Sequence, residues 1–168
     1  PSNYENGWEY SNTIDNKITI TGYKCHGLNI GKLYVPEYLD SKEVVSFDDN
    51  LRFIEKGNDF LRYKNLYLPS KFKRIGNNSL KGTNIENIYG ESNGIEIGAH
   101  ALESSSIKTV EVPVLKISDS AFKNATGLNY IDISYDLEEI EDYAFYNCLA
   151  LDSVDLQNKN AALWTRTA

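Results

Sequence analysis

The sequence predicts a right-handed α+β repeat solenoid, in which short β-strands alternate with short helical or 3₁₀ turns behind an N-terminal β-hairpin cap. Three observations predict it. An apolar frame recurs along the chain, with strand positions separated by 33, 22, 22, 21 and 23 residues: Leu33, Leu66, Ile88, Val110, Ile131 and Val154. Each copy holds a short apolar alternation typical of a half-buried strand. Two further alternating stretches open the chain. A unit of this length cannot bury its apolar edge alone, whereas stacked units form a continuous core.

Residues 1–32 are predicted to form the β cap. Two apolar alternating stretches surround Asp15-Asn16, a pair that favours a tight turn, so they are expected to form a hairpin. The apolar residues expected to be buried in this cap are Trp8, Tyr10, Ile14, Ile18, Ile20 and Tyr23. The cap therefore covers the first coil of the array.

Residues 33–157 are predicted to form five to six coils, of which the first is irregular. Each coil has a strand, which in three copies ends at Pro36, Pro69 or Pro113, because proline cannot donate to a strand ladder. A small residue followed by a large apolar one then lies in a polar segment expected to form a helical or 3₁₀ turn. Residues that recur in phase are predicted to be buried: Ala121, Phe122, Leu128, Ile131, Ala144, Phe145, Leu151 and Val154.

Two stretches depart from the repeat. Residues 47–63 carry no clean small-large pair before Leu66, so the register of this stretch stays open. Residues 158–168 hold no further copy of the frame and are predicted to be a C-terminal tail or partial cap.

Composition excludes two classes of partner. The chain of 168 residues has a formal net charge of -7 and a pI near 4.9, and no basic cluster resembles a phosphate-binding face, so nucleic acid is not expected. Its apolar runs are far shorter than the roughly 20 residues of a membrane helix, so no membrane insertion is expected within this segment. No charged-then-apolar signal segment opens it.

The histidines, cysteines and clustered acids are expected to have structural roles. His26 and His100 are far apart in sequence and have no apparent catalytic partner, while Cys148 occupies the small position that Ala125 fills in the preceding copy. Cys25 lies in the cap, so both thiols are expected to be free. The acidic run of residues 136–142 interleaves with core positions, which favours a solvated face over a calcium site. We therefore expect no catalytic residue, metal or cofactor.

The repeated frame resembles a known family. Its pattern I-x-x-x-A-F-x-x-[AC]-x-x-L-x-x-I-x-I, with proline closing several strands, is similar to the BspA-like leucine-rich repeats of bacterial surface proteins, over about residues 8–157. The resemblance implies a leucine-rich-repeat coil. It also implies a secreted or cell-surface protein that contacts a host or neighbouring-cell surface protein or a glycan.

The expected ligand-binding surface is the outer face of the repeat strands. An aromatic row leads there into an acidic end: Tyr34, Tyr67, Tyr89, Glu111, Tyr130, Asp132 and Asp155. The interval before Leu66 is expected to leave a gap after Tyr34. One interpretation is that these positions favour tyrosine only for cross-strand packing. The other is that they bind a protein or glycan, since tyrosine combines contact area with a polar group.

Three functions follow from these alternatives. The leading hypothesis is a non-enzymatic extracellular recognition or adhesion module. The second is a structural spacer that presents another domain of a longer surface protein and has no ligand of its own. The third, an enzyme on a repeat scaffold, is least favoured, because the sequence shows no nucleophile with a base in reach.

Overall fold

The computed structural model describes residues 3–24, 31–53 and 63–153. These ranges contain thirteen strands, numbered here in chain order. They are β1 (Asn3–Glu5), β2 (Trp8–Asn12), β3 (Ile18–Tyr23), β4 (Gly31–Tyr34), β5 (Tyr38–Leu39), β6 (Lys42–Phe53), β7 (Tyr63–Leu68), β8 (Arg74–Ile75), β9 (Asn87–Gly90), β10 (Ile95–Ile97), β11 (Thr109–Ile117), β12 (Tyr130–Ile133) and β13 (Glu139–Ile140).

The strands form two columns of parallel strands. This arrangement is expected of a solenoid, because each turn places its corresponding strand directly beside that of the preceding turn. The first column stacks β4, β7, β9, the first half of β11 and β12. The second stacks β3, β6, β8, β10, the second half of β11 and β13. The cap strand β3 pairs directly with β6, so the cap continues the second column. The result is a β-solenoid with about five turns.

The predicted helical turns are wrong for the described residues, which contain strands and turns but no helix. In the turn 98–105, the Ala101 N–H donates to Gly98 O within the turn (3.2 Å), whereas the Leu102 N–H donates to Ala121 O of the next coil (2.8 Å). His100 and Ser104 have φ of 57° and 55°. A left-handed residue every fourth position interrupts a right-handed helix, and it turns alternate N–H groups towards the neighbouring coil.

The same two left-handed positions, four residues apart, recur in each complete turn: Asn78 and Gly82, His100 and Ser104, Ser120 and Asn124, and Tyr143 and Asn147. The hydrogen bonds between coils recur with them, since the N–H of Leu80 donates to Ala101 O (2.9 Å) and that of Phe122 to Ala144 O (2.9 Å). The turns therefore stack as a ladder in which backbone groups bond along the axis of the solenoid.

The cap hairpin forms as predicted, with one exception. Antiparallel β2 and β3 bury Trp8, Tyr10, Ile18 and Ile20 and half-bury Tyr23. Ile14 is fully exposed, because it lies in the turn that joins the two strands and has no strand neighbour to cover it.

The interior is a single apolar cluster along the axis, in which most of the in-phase residues are buried as predicted: Ala121, Phe122, Leu128, Ile131 and Ala144. Phe145 and Leu151 are instead half-buried. Burial of such residues depends on coils on both sides, and these two belong to the last described coil. Val154 lies outside the described residues.

Prolines mark two strand ends and one change of partner. Pro36 and Pro69 follow β4 and β7 as predicted. Pro113 instead lies within β11, where the strand passes from one column to the other: Glu111 pairs with Tyr89 before it, and Val114 pairs with Ile95 after it. The proline thus stands between two paired segments, where no ladder hydrogen bond from it is needed.

Candidate ligand-binding site

Three tyrosines occupy the same outward position on β4, β7 and β9. The strand register pairs Tyr34 with Tyr67 and Tyr67 with Tyr89. Each follows a buried leucine or isoleucine, so alternation along the strand directs the tyrosine to the outer face. The predicted row in one line is therefore present in the structure.

The rings in this row stack on one another. The Tyr34 and Tyr67 ring centroids lie 4.4 Å apart with planes inclined by 11°, and those of Tyr67 and Tyr89 lie 5.1 Å apart with planes inclined by 25°. The expected gap after Tyr34 is absent, because β4 pairs directly with β7. The chain between them includes β5 and β6, and neither strand lies in this column.

Exposure differs along the row. Tyr34 is 57% exposed, whereas Tyr67 and Tyr89 are half-buried. Since each ring covers its neighbour, both faces of Tyr67 are occupied by aromatic contacts. The row therefore offers ring edges and hydroxyl groups to a ligand more than open ring faces.

The tyrosines form one wall of a groove of about 480 Å³. The residues that line it are Tyr34, Glu37, Tyr67, Leu68, Ser70, Tyr89, Gly90, Glu91 and Glu111. Three of them, Glu37, Ser70 and Glu91, follow the tyrosines of successive coils by two or three positions. They add a second, polar row beside the aromatic one.

Two of these polar residues are joined across coils. Glu37 Oε1 accepts a hydrogen bond from the Ser70 backbone N–H (2.9 Å), and Glu37 Oε2 accepts one from the Ser70 hydroxyl (2.8 Å). This pair holds the carboxylate at the groove without neutralising its charge. Each carboxylate oxygen keeps a further lone pair with which to accept from a ligand.

Glu111 continues the aromatic row, since its strand register pairs it with Tyr89. Its Oε2 lies 3.1 Å from the oxygen of the Thr109 hydroxyl. Burial raises the pKa of Tyr89, and the nearby Glu111 carboxylate raises it further. The Tyr89 hydroxyl is therefore held neutral at the groove.

A row of polar side chains runs beside the tyrosines, two positions earlier on each strand. Asn87 Nδ2 donates to Asn65 Oδ1 (2.9 Å), and the Thr109 hydroxyl donates to Asn87 Oδ1 (2.8 Å). These bonds link three coils on the outer face and fix the strand surface from which the tyrosines project.

Not all of the predicted site residues meet at this groove. Tyr130 is half exposed on β12, where it pairs with Thr109, and Asp132 is half-buried; neither lines the groove. Asp155 lies outside the described residues. The structure thus brings together Tyr34, Tyr67, Tyr89 and Glu111.

Sequence reasoning missed Glu37, Ser70 and Glu91. A signal was available, because each residue lies shortly after the strand that carries a tyrosine, beyond Pro36, Pro69 or Gly90. Stacked coils bring residues at matching positions into a row.

The three groove carboxylates differ from the salt-bridged acids of this protein in their charge environment. Among the described residues, Glu37, Glu91 and Glu111 have no basic group within 4.0 Å. Several acids elsewhere do have a basic partner. Glu86, for example, lies between Lys108 (2.6 Å) and Lys64 (3.2 Å). The hydrogen bond from Lys108 lowers its pKa despite partial burial, and that from Lys64 adds to the effect.

The described histidine and cysteine, His100 and Cys148, each contact a neighbouring group of the solenoid. His100 Nδ1 lies 2.7 Å from Glu103 Oε2 in its turn, and Lys81 lies 3.3 Å from the same oxygen. Cys148 is a free, half-buried cysteine whose thiol donates to Phe122 O (3.1 Å). His26 and Cys25 lie outside the described residues.

No metal centre emerges in the parts of the chain that the structure describes. No three His, Cys, Asp or Glu side chains there are grouped so that they could hold a metal ion. In the acidic run, Glu139 instead pairs with Lys116 at 3.6 Å. These same parts contain no helix long and apolar enough to cross a membrane.

Comparison with known proteins identifies a repeat family that has this architecture. The family model for the BspA type leucine rich repeat region matches residues 58–166 in six copies. No curated protein sequence matches the chain significantly.

Two solved structures share the fold. A leucine rich cell surface protein from Faecalibacterium prausnitzii A2-165 is 16% identical with a TM-score of 0.55, over 91% of this chain and 54% of that one. The pneumococcal vaccine antigen PcpA is 18% identical with a TM-score of 0.64, over 88% of this chain and 42% of that one. This chain therefore spans about half of the length of either protein.

Proposed function

The chain belongs to the family of BspA type leucine rich repeats, and from this premise we propose that it is a non-enzymatic recognition module, secreted or at the cell surface. Its partner is a protein or glycan of a host or neighbouring cell, bound in the groove of Tyr34, Tyr67 and Tyr89. The observation that carries the proposal is the stacked aromatic row along a groove with unneutralised carboxylates.

Aromatic residues suit this role because they combine a large contact area with a polar hydroxyl and few rotatable bonds. Half-buried rings held in a stack are also pre-organised, so that binding orders few additional side chains. A location at the cell surface is supported by the relative from Faecalibacterium prausnitzii, which is described as a cell surface protein.

The test is a screen of this chain against immobilised matrix proteins and a glycan array. We expect saturable binding of at least one ligand, and we expect the double variant Tyr67→Ser/Tyr89→Ser to lose at least about tenfold in affinity, since central aromatic anchors dominate many interfaces. The matched control is Tyr135→Ser/Tyr146→Ser, which removes two exposed tyrosines outside the groove.

Two results would contradict the proposal. Absence of any saturable ligand would favour the spacer. Equal loss of affinity in the groove and control variants would place the contact surface elsewhere. Circular dichroism spectra of both variants show whether the fold is retained.

A further inference from the structure

We propose that the groove takes an extended peptide segment with lysine or arginine side chains, and that this segment lies across the coils along the tyrosine row. This inference rests on the proposed function, since it names the class of ligand for the same groove. Three features of the groove carry it: the way its rings are covered, its charge and its spacing.

The covered rings argue against a sugar platform. A pyranose ring binds an aromatic residue through an open ring face, but the faces within this row contact one another at 4.4 and 5.1 Å. Ring edges and hydroxyl groups remain available. An alkyl stem of lysine or arginine packs against such edges, and peptide groups hydrogen bond to the hydroxyls.

The charge of the groove favours a cation. Its lining contains three carboxylates, Glu37, Glu91 and Glu111, and no lysine, arginine or histidine. Within the described ranges these carboxylates have no basic partner, whereas Glu86 and Glu103 each contact two basic side chains. A basic ligand would thus meet acids whose charge is still available.

The spacing suits an extended chain. Neighbouring strands lie about 4.8 Å apart, so Glu37 and Glu91, two coils apart, are separated by about 10 Å along the stack. Alternate residues of an extended peptide point to the same side about 7 Å apart. The long stems of lysine and arginine span the remaining difference.

The test uses fluorescence anisotropy with a labelled, end-capped octapeptide of alternating lysine and serine. The probes for comparison are the same peptide with glutamate in place of lysine and an uncharged hexasaccharide of glucose. We expect the lysine peptide alone to bind. We also expect its affinity to fall at least about tenfold between 50 and 500 mM salt, because salt screens charge pairs.

Two triple variants, each of which removes three negative charges, distinguish the effect of the groove carboxylates on binding from the effect of the net negative charge of the protein. Glu37→Gln/Glu91→Gln/Glu111→Gln is expected to weaken binding of the lysine peptide at least about tenfold. Asp136→Asn/Glu138→Gln/Asp152→Asn removes the same charge from exposed positions outside the groove, and it is expected to stay within about twofold of the parent.

Failure of this inference is distinguishable from failure of the proposed function. Equal weakening in both triple variants, or no binding of the lysine peptide, overturns the cationic peptide. Tyrosine-dependent binding of the hexasaccharide without binding of the peptide would also overturn it, while the groove would remain a recognition site.

Discussion

The ring of Tyr34 stacks on that of Tyr67 with centroids 4.4 Å apart, although the two residues are 33 positions apart in the chain. The contact exists because β4 and β7 are neighbours in the first column. It makes the aromatic row continuous across three coils and so forms one wall of the groove.

This stacking predicts energetic coupling between the two tyrosines. In a double-mutant cycle of Tyr34→Ser and Tyr67→Ser, we expect a coupling of about 0.5–1.5 kcal/mol in the free energy of unfolding, as for other aromatic pairs. Chemical denaturation measures it. The control cycle pairs Tyr34→Ser with Tyr89→Ser, which do not contact each other directly, and its coupling should be near zero. Equal couplings would mean that the stack is not the cause.

The phenylalanine pair predicts unequal costs of truncation. Phe122 is fully buried and Phe145 half-buried, with rings 5.6 Å apart. Phe122→Ala is expected to cost about 3–5 kcal/mol by cavity formation, and Phe145→Ala clearly less, since less surface is lost from the core. Urea denaturation of both variants compares them. An equal loss would show that Phe145 is as tightly packed as Phe122.

A buried hydroxyl predicts a stabilising substitution. Ser79 is 3% exposed, and its Oγ has no hydrogen-bond partner among the described residues. Alanine occupies the same turn position at Ala101, Ala121 and Ala144. Ser79→Ala should therefore raise the free energy of unfolding by up to about 1 kcal/mol, because the cost of burying an unpaired hydroxyl is removed.

The reverse change is the control for this prediction. Ala121→Ser places a hydroxyl at the equivalent position of a later coil and should lower the free energy of unfolding by about 1–3 kcal/mol. Thermal or urea denaturation of both variants measures the two effects. A loss of stability in Ser79→Ala would show that the hydroxyl contributes a favourable contact.

Partial burial of Cys148 predicts that its thiol reacts slowly with an alkylating reagent. Burial raises its pKa to about 11, against a smaller lowering by a backbone hydrogen bond from Ala125. In a Cys25→Ser background at pH 8, alkylation of the folded protein should be at least about tenfold slower than that of the unfolded protein, because the thiolate is the reactive form. Equal rates would contradict the burial of the sulfur.

The same shift fixes the sign of a pH effect. Because the pKa of Cys148 is higher in the folded state than in the unfolded state, folding favours the neutral thiol. The resulting contribution to the free energy of unfolding is fully present below the unfolded pKa of about 8.5 and is lost as the pH rises towards 11. The parent should therefore lose stability relative to Cys148→Ala over that range.

Thiol titration of the unfolded, unreduced protein is expected to find two free thiols.

The sequence by itself determined the repeat and much of the core. Residues such as Phe122 and Ile131 recur in phase, and only a stack of similar coils buries them together, so the solenoid follows from their spacing. Alternation along each strand likewise determined which face carries Tyr67 and Tyr89, because side chains on a strand point to opposite sides in turn.

Only the tertiary structure decided the turns and the groove. The turn backbone bonds to the next coil, as from Leu102 N–H to Ala121 O, and a pattern within one copy cannot show a partner in another. Glu37, Ser70 and Glu91 come from three coils, and they meet because the coils stack in one register. The groove therefore depends on contacts between residues of different coils, and local propensity within one coil does not encode such contacts.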